Sequence, residues 1–399
     1  MATVSLHRTA ADEPRGLALF SAGFRPFFLL AALWSAIAVP VWLAAYVHGF
    51  APSAMPAMIW HAHEMIYGYA VASVAGFLLT AIPNWTGRLP LRGAPLAALA
   101  ALWLAGRVAL LLSATLGAAA AMLIDLAFTA VLMAAIAREL VAGRNFRNLP
   151  MVAALALLFA GNLLVHLQAL DLAYTAALGN RLGIATLAAL IALVGGRIVP
   201  SFTRNWLVRM RPDVAPPASP SRLDLACLLL VVSGLAAWVG FPDSPIASGM
   251  QIVAGTAAAI RLSRWRGLAT LREPLLAILH LGYGWLAFGL ALLGLNGLFG
   301  WLPPSAGMHA LTVGAVGTMT LAVMTRASLG HGGRPLTAGA GTSAIYVLVT
   351  LAAVLRLAAP LTGAQVVLVT SLAGFAWTVA FGLFAVLYAP LLLRRRSDS

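Results

Sequence analysis

Lysine is absent from this sequence of 399 residues, and cysteine occurs once, at Cys227. Charge of any kind is scarce: charged residues make up 9% of the chain, and only 11 of them are acidic. A soluble globular protein carries about 25% charged and roughly 45–50% apolar residues, so a water-facing surface cannot be assembled from this inventory. A soluble enzyme, a disordered chain and a disulfide-rich secreted scaffold are thereby excluded. The lone cysteine excludes an internal disulfide and any multi-cysteine zinc or iron–sulfur site, and within LDLACLLLVV it reads as inert core. There is no Walker loop, no GxGxxG after a strand, and no GxSxG, HExxH or CxxC. A hydrolase, a kinase and a nucleotide-driven pump therefore have no support. No signal-peptide apolar run precedes residue 27 and no small-residue cleavage site is present there, so the first helix is expected to be retained.

What the chain has is hydrophobicity: 62% apolar residues and a mean hydropathy of +0.94. A membrane span needs about 20 mostly apolar residues. Twelve such stretches lie near 27–47, 62–83, 95–114, 118–137, 150–170, 181–200, 223–240, 246–262, 275–295, 307–325, 341–359 and 366–390. The expected fold is an all-α polytopic membrane protein of twelve transmembrane helices. Residues 1–26 form an N-terminal segment, 27–390 a single membrane domain, and 391–399 a basic tail. A loop with four prolines, 211–222, divides six helices from six.

The formal charge of +14 would suggest nucleic acid in a soluble protein. Here the connectors explain it better. One side of the bundle holds every arginine except Arg107, Arg181 and Arg356, and the other is nearly arginine-free. By the positive-inside rule both termini are cytoplasmic, the partner is the lipid bilayer, and no nucleic acid is expected. The three exceptions fall toward the outer half of the membrane. Charges at that depth need partners. They pair structurally with Asp125 or Asp171, or they clamp an anionic cofactor group, since guanidinium binds carboxylates bidentately.

A weak internal repeat links helices 2, 6 and 10. Helix 2 ends in LLTAIPNWTGR, helix 6 in GGRIVPSFTRN and helix 10 in TLAVMTRASLG. At the offset that superposes Pro83 on Pro200, His63 falls on Asn180. His63 precedes Gly68 by the same spacing as His309 precedes Gly314. Three pseudo-repeated four-helix units would bring matching sites onto equivalent helices.

The histidines carry the candidate chemistry. His7 and His48 read as solvated. His61 and His63 open helix 2 in IWHAHEMIYGY, and His309 opens helix 10 in GMHALTVG; all three lie at the outer end. His166 sits near the outer end of helix 5. Imidazole in a bilayer is a functional candidate for metal or haem ligation or proton relay. Two residues apart on a helix, His61 and His63 point about 200° apart, so one faces inward while the other serves elsewhere. Glu64 and Met65 share a face with His61, and Glu64 is placed to hold an imidazole in one tautomer. On the cytoplasmic side His280 and His331 join Asn84, Trp85, Arg88, Arg197, Thr203, Arg204, Asn205, Arg326 and Arg334 as a second polar site, for which plain positive-inside anchoring is the competing account.

Five segments carry a resemblance: LFSAGFRPFFLLA (19–31), WHAHEMIYGYAVASVAGFLLTAIPNWTGR (60–88), GGRIVPSFTRN (195–205), HLGYGWLAFG (280–289) and HALTVGAVGTMTLAVMTRASLGHGGR (309–334). The sequence resembles the NnrS family of polytopic bacterial membrane proteins tied to nitric oxide metabolism and nitrosative stress and described as containing haem and copper. The resemblance implies a multi-pass inner-membrane protein that binds, senses or detoxifies nitric oxide or iron-nitrosyl species. It implies one or two haems b, with His309 and either His61 or His63 as axial ligands, and Arg107, Arg181 and Arg356 on the propionates. Copper would use the spare member of His61/His63 with Met65, or the pair His280 and His331. A membrane electron donor would serve a haem-dependent oxidoreductase. The layout also resembles the large subunit of haem–copper oxidases, but helices 6 and 7 here lack the histidines of the oxidase copper site. Two rival classes are a haem-free secondary transporter and a non-catalytic sensor or assembly subunit.

Overall fold

The computed structural model describes residues 17–394, and among these the regular structure is entirely helical. Eleven helices are long and apolar enough to cross a membrane: α1 Phe24–His48, α2 Ala57–Thr86, α3 Ala94–Leu111, α4 Ala118–Ala142, α5 Phe146–Ala169, α6 Ala176–Met210, α7 Arg222–Gly240, α9 Pro274–Phe299, α10 Ser305–His331, α11 Ala340–Leu361 and α12 Gly363–Leu393. Each coincides with an expected span. The expected eighth span falls on α8, Pro245–Ser263, which is long enough but diluted by the buried polar residues Gln251 and Arg261. The N-terminal segment 1–26 with His7 and the basic tail 391–399 lie largely outside the described residues.

Local chemistry sets the ends of these helices. Pro95, Pro150, Pro245 and Pro274 occupy first-turn positions, where the missing N–H costs nothing. Ser221 and Asp224 form a capping box that starts α7 after the proline-rich loop. Gly49 and Gly300 end α1 and α9 in the left-handed conformation, with φ of 73° and 64°. The outward faces stay apolar: Leu123, Val347, Phe375 and Val386 are 66–70% exposed. That surface suits lipid and not water.

The chain closes on itself, because α1 packs along α12. Arg25 secures this contact. Its Nη1 donates to the carbonyls of Leu391, Leu392 and Arg394 at 3.1, 2.9 and 2.7 Å, satisfying the carbonyls left open where α12 ends.

Helices α2, α6 and α10 converge on the bundle axis and touch one another. Each contains a π-helical segment: Glu64–Ala70 in α2, Ile191–Gly195 in α6 and Ala310–Gly317 in α10. A π segment inserts a residue into the helical ladder and rotates the turns before it relative to the turns after it. In α2 and α10 the segment begins immediately after His63 and His309. The freed backbone is supported from outside in α6, where Arg261 of α8 donates to the Ala192 carbonyl at 2.7 Å. A side chain on Gly196 would collide with that guanidinium.

Candidate functional site in the outer half of the bundle

The first turns of α2 and α10 enclose a cavity of ≈ 300 Å³ whose lining includes His61, Met65, Trp42, Met308, His309 and Arg356. Both imidazoles are prepared to coordinate. His309 Nδ1 lies 2.6 Å from the Ser305 carbonyl, which fixes Nδ1 as the donor and leaves the Nε2 lone pair available. The His61 ring stacks on the Trp42 indole at 4.1 Å between centroids, and its buried Nδ1 has no partner. A buried ring nitrogen without a partner among the described residues calls for an explanation, such as a water, an ion or a further ligand in the cavity. Arg356 supplies one guanidinium to the same space, and Met58 adds a third thioether beside Met65 and Met308.

His63 faces the other way, into a charged cluster packed between α2, α3, α4 and α5. Its Nδ1 lies 3.1 Å from Glu64 Oε1, and its Nε2 lies 3.1 Å from Asp125 Oδ2 and 2.7 Å from Asn162 Oδ1. Arg107 bridges the two carboxylates: Nη1 donates to Glu64 Oε2 at 2.6 Å, and Nη2 pairs with Asp125 Oδ1. His166 Nε2 and Asn162 Nδ2 approach Asp125 Oδ2 at 3.0 and 2.8 Å, and Trp34 Nε1 donates to Glu64 Oε2 at 2.6 Å. Exposure of His63, Glu64, Arg107 and Asp125 is 0–2%, so each charge depends on its partners. Gly68 makes room for the cluster, since a Cβ there would lie 2.7 Å from both Arg107 Nη1 and Glu64 Oε2. His63, Asp125 and His166 bring three ligand-type atoms within 4.8 Å of one another. A cation there would have to displace the Arg107 and Asn162 bonds that already satisfy those atoms.

The expected residues therefore separate. His61, Met65, His309 and Arg356 share one cavity, while His63, Glu64 and Arg107 form the buried ionic cluster on the opposite face of α2. Glu64 bonds to His63, with its other oxygen held by Arg107 and Trp34. Arg107 takes the structural pairing with Asp125 in place of a clamp on the cavity. Arg181 lines a neighbouring cavity of ≈ 780 Å³ with Asn180, Asp243 and Gln251.

The inner set also divides. Asn84, Trp85, Arg326 and His331 line one cavity of ≈ 470 Å³, with the Arg326 guanidinium 4.1 Å from the Phe202 ring centroid and His331 beside Phe24. His280 is buried elsewhere: Nδ1 meets the Leu276 carbonyl at 3.0 Å and Nε2 lies 3.4 Å from Thr203 Oγ1, so it does not meet His331. Arg88 pairs with Glu139, Arg197 donates to Asn148, and Arg204 donates to the Pro217 carbonyl. Asn205 and Arg334 are exposed.

The segments that build the outer cavity and the axial helices are those of a known family: the description "NnrS protein" matches residues 18–396. The chain belongs to the NnrS family. No curated protein matches it. In this NnrS chain the α2 and α10 motifs supply the cavity imidazoles, whereas the GFRPFF motif supplies the Arg25 bond to α12. Sequence reasoning passed over Asn162, Trp42 and Met308. The spacing of Asn162 and His166, one helical turn apart in an apolar helix, was the available signal for a polar face on α5.

Proposed function

We propose that this chain is a haem-binding inner-membrane protein of nitric oxide metabolism, with His61 and His309 as the axial pair. One observation carries the proposal: two imidazoles from separate helices line one cavity, one with its Nδ1 engaged by a carbonyl and the other with a buried nitrogen lacking a partner among the described residues. The cavity is far larger than a bare ion needs, and it is bounded by apolar and aromatic side chains that would shield a macrocycle from water. When bound, haem iron would supply one-electron chemistry, and a diatomic ligand would reach the iron by displacing one of the two imidazoles. The protein's own part is to hold the two ring nitrogens, to exclude water, and to balance a propionate at Arg356. The Trp42 face orients His61, and Ser305 fixes the His309 tautomer.

The ligand in this reading is nitric oxide or an iron-nitrosyl species, and a membrane electron donor would make the protein an oxidoreductase. Family membership and the arginine asymmetry support a bacterial inner-membrane location with both termini cytoplasmic. The converging π-bearing helices α2, α6 and α10 support three four-helix units, with α8 completing twelve spans. The inner cavity, with Arg326 and His331, is the place for a second haem or another anionic group.

A specific observation favours copper as the second reading at the outer cavity: Met58, Met65 and Met308 present three thioethers beside the two imidazoles, a donor set that suits cuprous ion. Pyridine haemochrome assay and metal analysis of protein purified in detergent from haem- and copper-replete cells separate the readings. Haem at one or two equivalents is expected. Copper without haem would favour the second reading. A colourless protein free of iron and copper would contradict both and leave transport or a cofactor-free subunit.

A further inference from the structure

Three cavities lie in series along the contact of α2, α6 and α10. The outer one holds His61 and His309. A middle one of ≈ 100 Å³ shares Leu187 and Val316 with it. The inner one, with Arg326 and His331, shares Phe28, Phe77, Ile198 and Val323 with the middle one. Shared wall residues place the three cavities end to end, with Leu187 and Val316 standing at one junction and Phe28, Phe77, Ile198 and Val323 at the other.

The middle segment differs in chemistry from both ends. No charged side chain lines it, and its only hydroxyl-bearing side chains are Ser73 and Thr320. Both are already engaged. Thr320 Oγ1 meets the Val316 and Gly317 carbonyls and the Tyr69 hydroxyl, and Ser73 Oγ meets the Tyr69 carbonyl and Met324 Sδ. The hydroxyl hydrogens are spent on these partners, which leaves a water fewer partners than a stably held one needs, and a space this apolar favours apolar atoms and small molecules over water. An ion or a proton-carrying water chain would meet the full cost of desolvation in the same place. The π segments of α6 and α10 contribute Ile191, Val194, Gly195 and Val316 to its wall. Gly195 keeps its width, because a Cβ there would sit 2.9 Å from Met319 Cε.

We propose that this axis is a dry conduit for small uncharged gas molecules, joining the inner cavity to the outer one and refusing ions and hydrated solutes. That the conduit delivers to a metal-bearing cavity rests on the function proposed above; the conduit itself does not. In the first role its cargo is a diatomic molecule of the size and polarity of nitric oxide.

Xenon is the probe for the conduit alone. Crystals of the purified protein under xenon pressure should show anomalous density between Val316 and Val323, and Val323→Phe should lose it. Absence of xenon from the middle segment of the natural protein would overturn the conduit. Nitric oxide association, followed by flash photolysis of the reduced protein, tests delivery. Val323→Phe should slow association by about tenfold with an unchanged haem spectrum, and Val323→Ala, which removes volume without adding any, should not slow it. An unchanged rate in Val323→Phe that has lost xenon would overturn delivery along this axis. Xenon in a protein that holds no haem would contradict the proposed function while leaving the conduit standing.

Discussion

Arg107 illustrates how a single side chain organises the outer half of the bundle. It neutralises Glu64 and Asp125 at once, and Glu64 is the first residue of the π segment in α2. Removing one partner from a buried ionic cluster leaves uncompensated charge and typically costs about 3–5 kcal/mol. Arg107→Ala is therefore expected to lower the unfolding midpoint in detergent sharply. An unchanged midpoint would mean that the cluster is solvated or otherwise balanced. Much of this was legible: an arginine and an aspartate in apolar helices had to find partners, and Asp125 was one of two acids at the right depth. The sorting of His61 from His63 was not. Their separation of two residues says that they diverge, but which one meets the cavity depends on the helical phase, and the apolar neighbours Ile59, Ala62 and Ile66 can face either way.

At the scale of elements, hydropathy alone located the helices, since a stretch of about 20 apolar residues has no other stable form in lipid. The π segments left no comparable trace. Ile191–Gly195 and Ala310–Gly317 contain only apolar residues, threonine and glycine, so no change in periodicity marks the inserted residue. The arginine that supports one of them, Arg261, counted in the sequence as one more arginine of the inner side, with nothing to mark this role. Its bond to the Ala192 carbonyl predicts that Arg261→Met will destabilise the protein by about 1–3 kcal/mol and speed amide exchange around residues 192–196. Exchange unchanged in that segment would contradict a supporting role. Arg25→Ala is likewise expected to loosen the end of α12 selectively, at a cost of up to about 2 kcal/mol for a cation at a helix C-terminus. Faster exchange confined to the last turn of α12 would bear that out.

The whole molecule combines a lipid-facing shell of apolar side chains with an axis built from three irregular helices. Its orientation rests on arginine placement, which predicts that the proline-rich loop faces the cytoplasm. A cysteine introduced at Ser219 in a Cys227→Ala background should react with a membrane-impermeant maleimide only after the inner membrane is opened. Labelling in intact spheroplasts would reverse the topology. Burial of the chemistry comes from the same architecture. The outer cavity lies between helices far apart in sequence, so its membership could not be read from any local motif; Arg356 of α11 and Met308 of α10 join His61 only through the fold.

The measurement that tests the central claim most directly is the reduced-minus-oxidised visible spectrum of the purified protein beside His61→Ala, His309→Ala and His63→Ala. A b-type haem spectrum in the natural protein, lost or converted in the first two variants and kept in whatever fraction of His63→Ala folds, is the result expected from the outer cavity. Loss of the spectrum in folded His63→Ala with its retention in His61→Ala would contradict the assignment and move the ligand into the charged cluster.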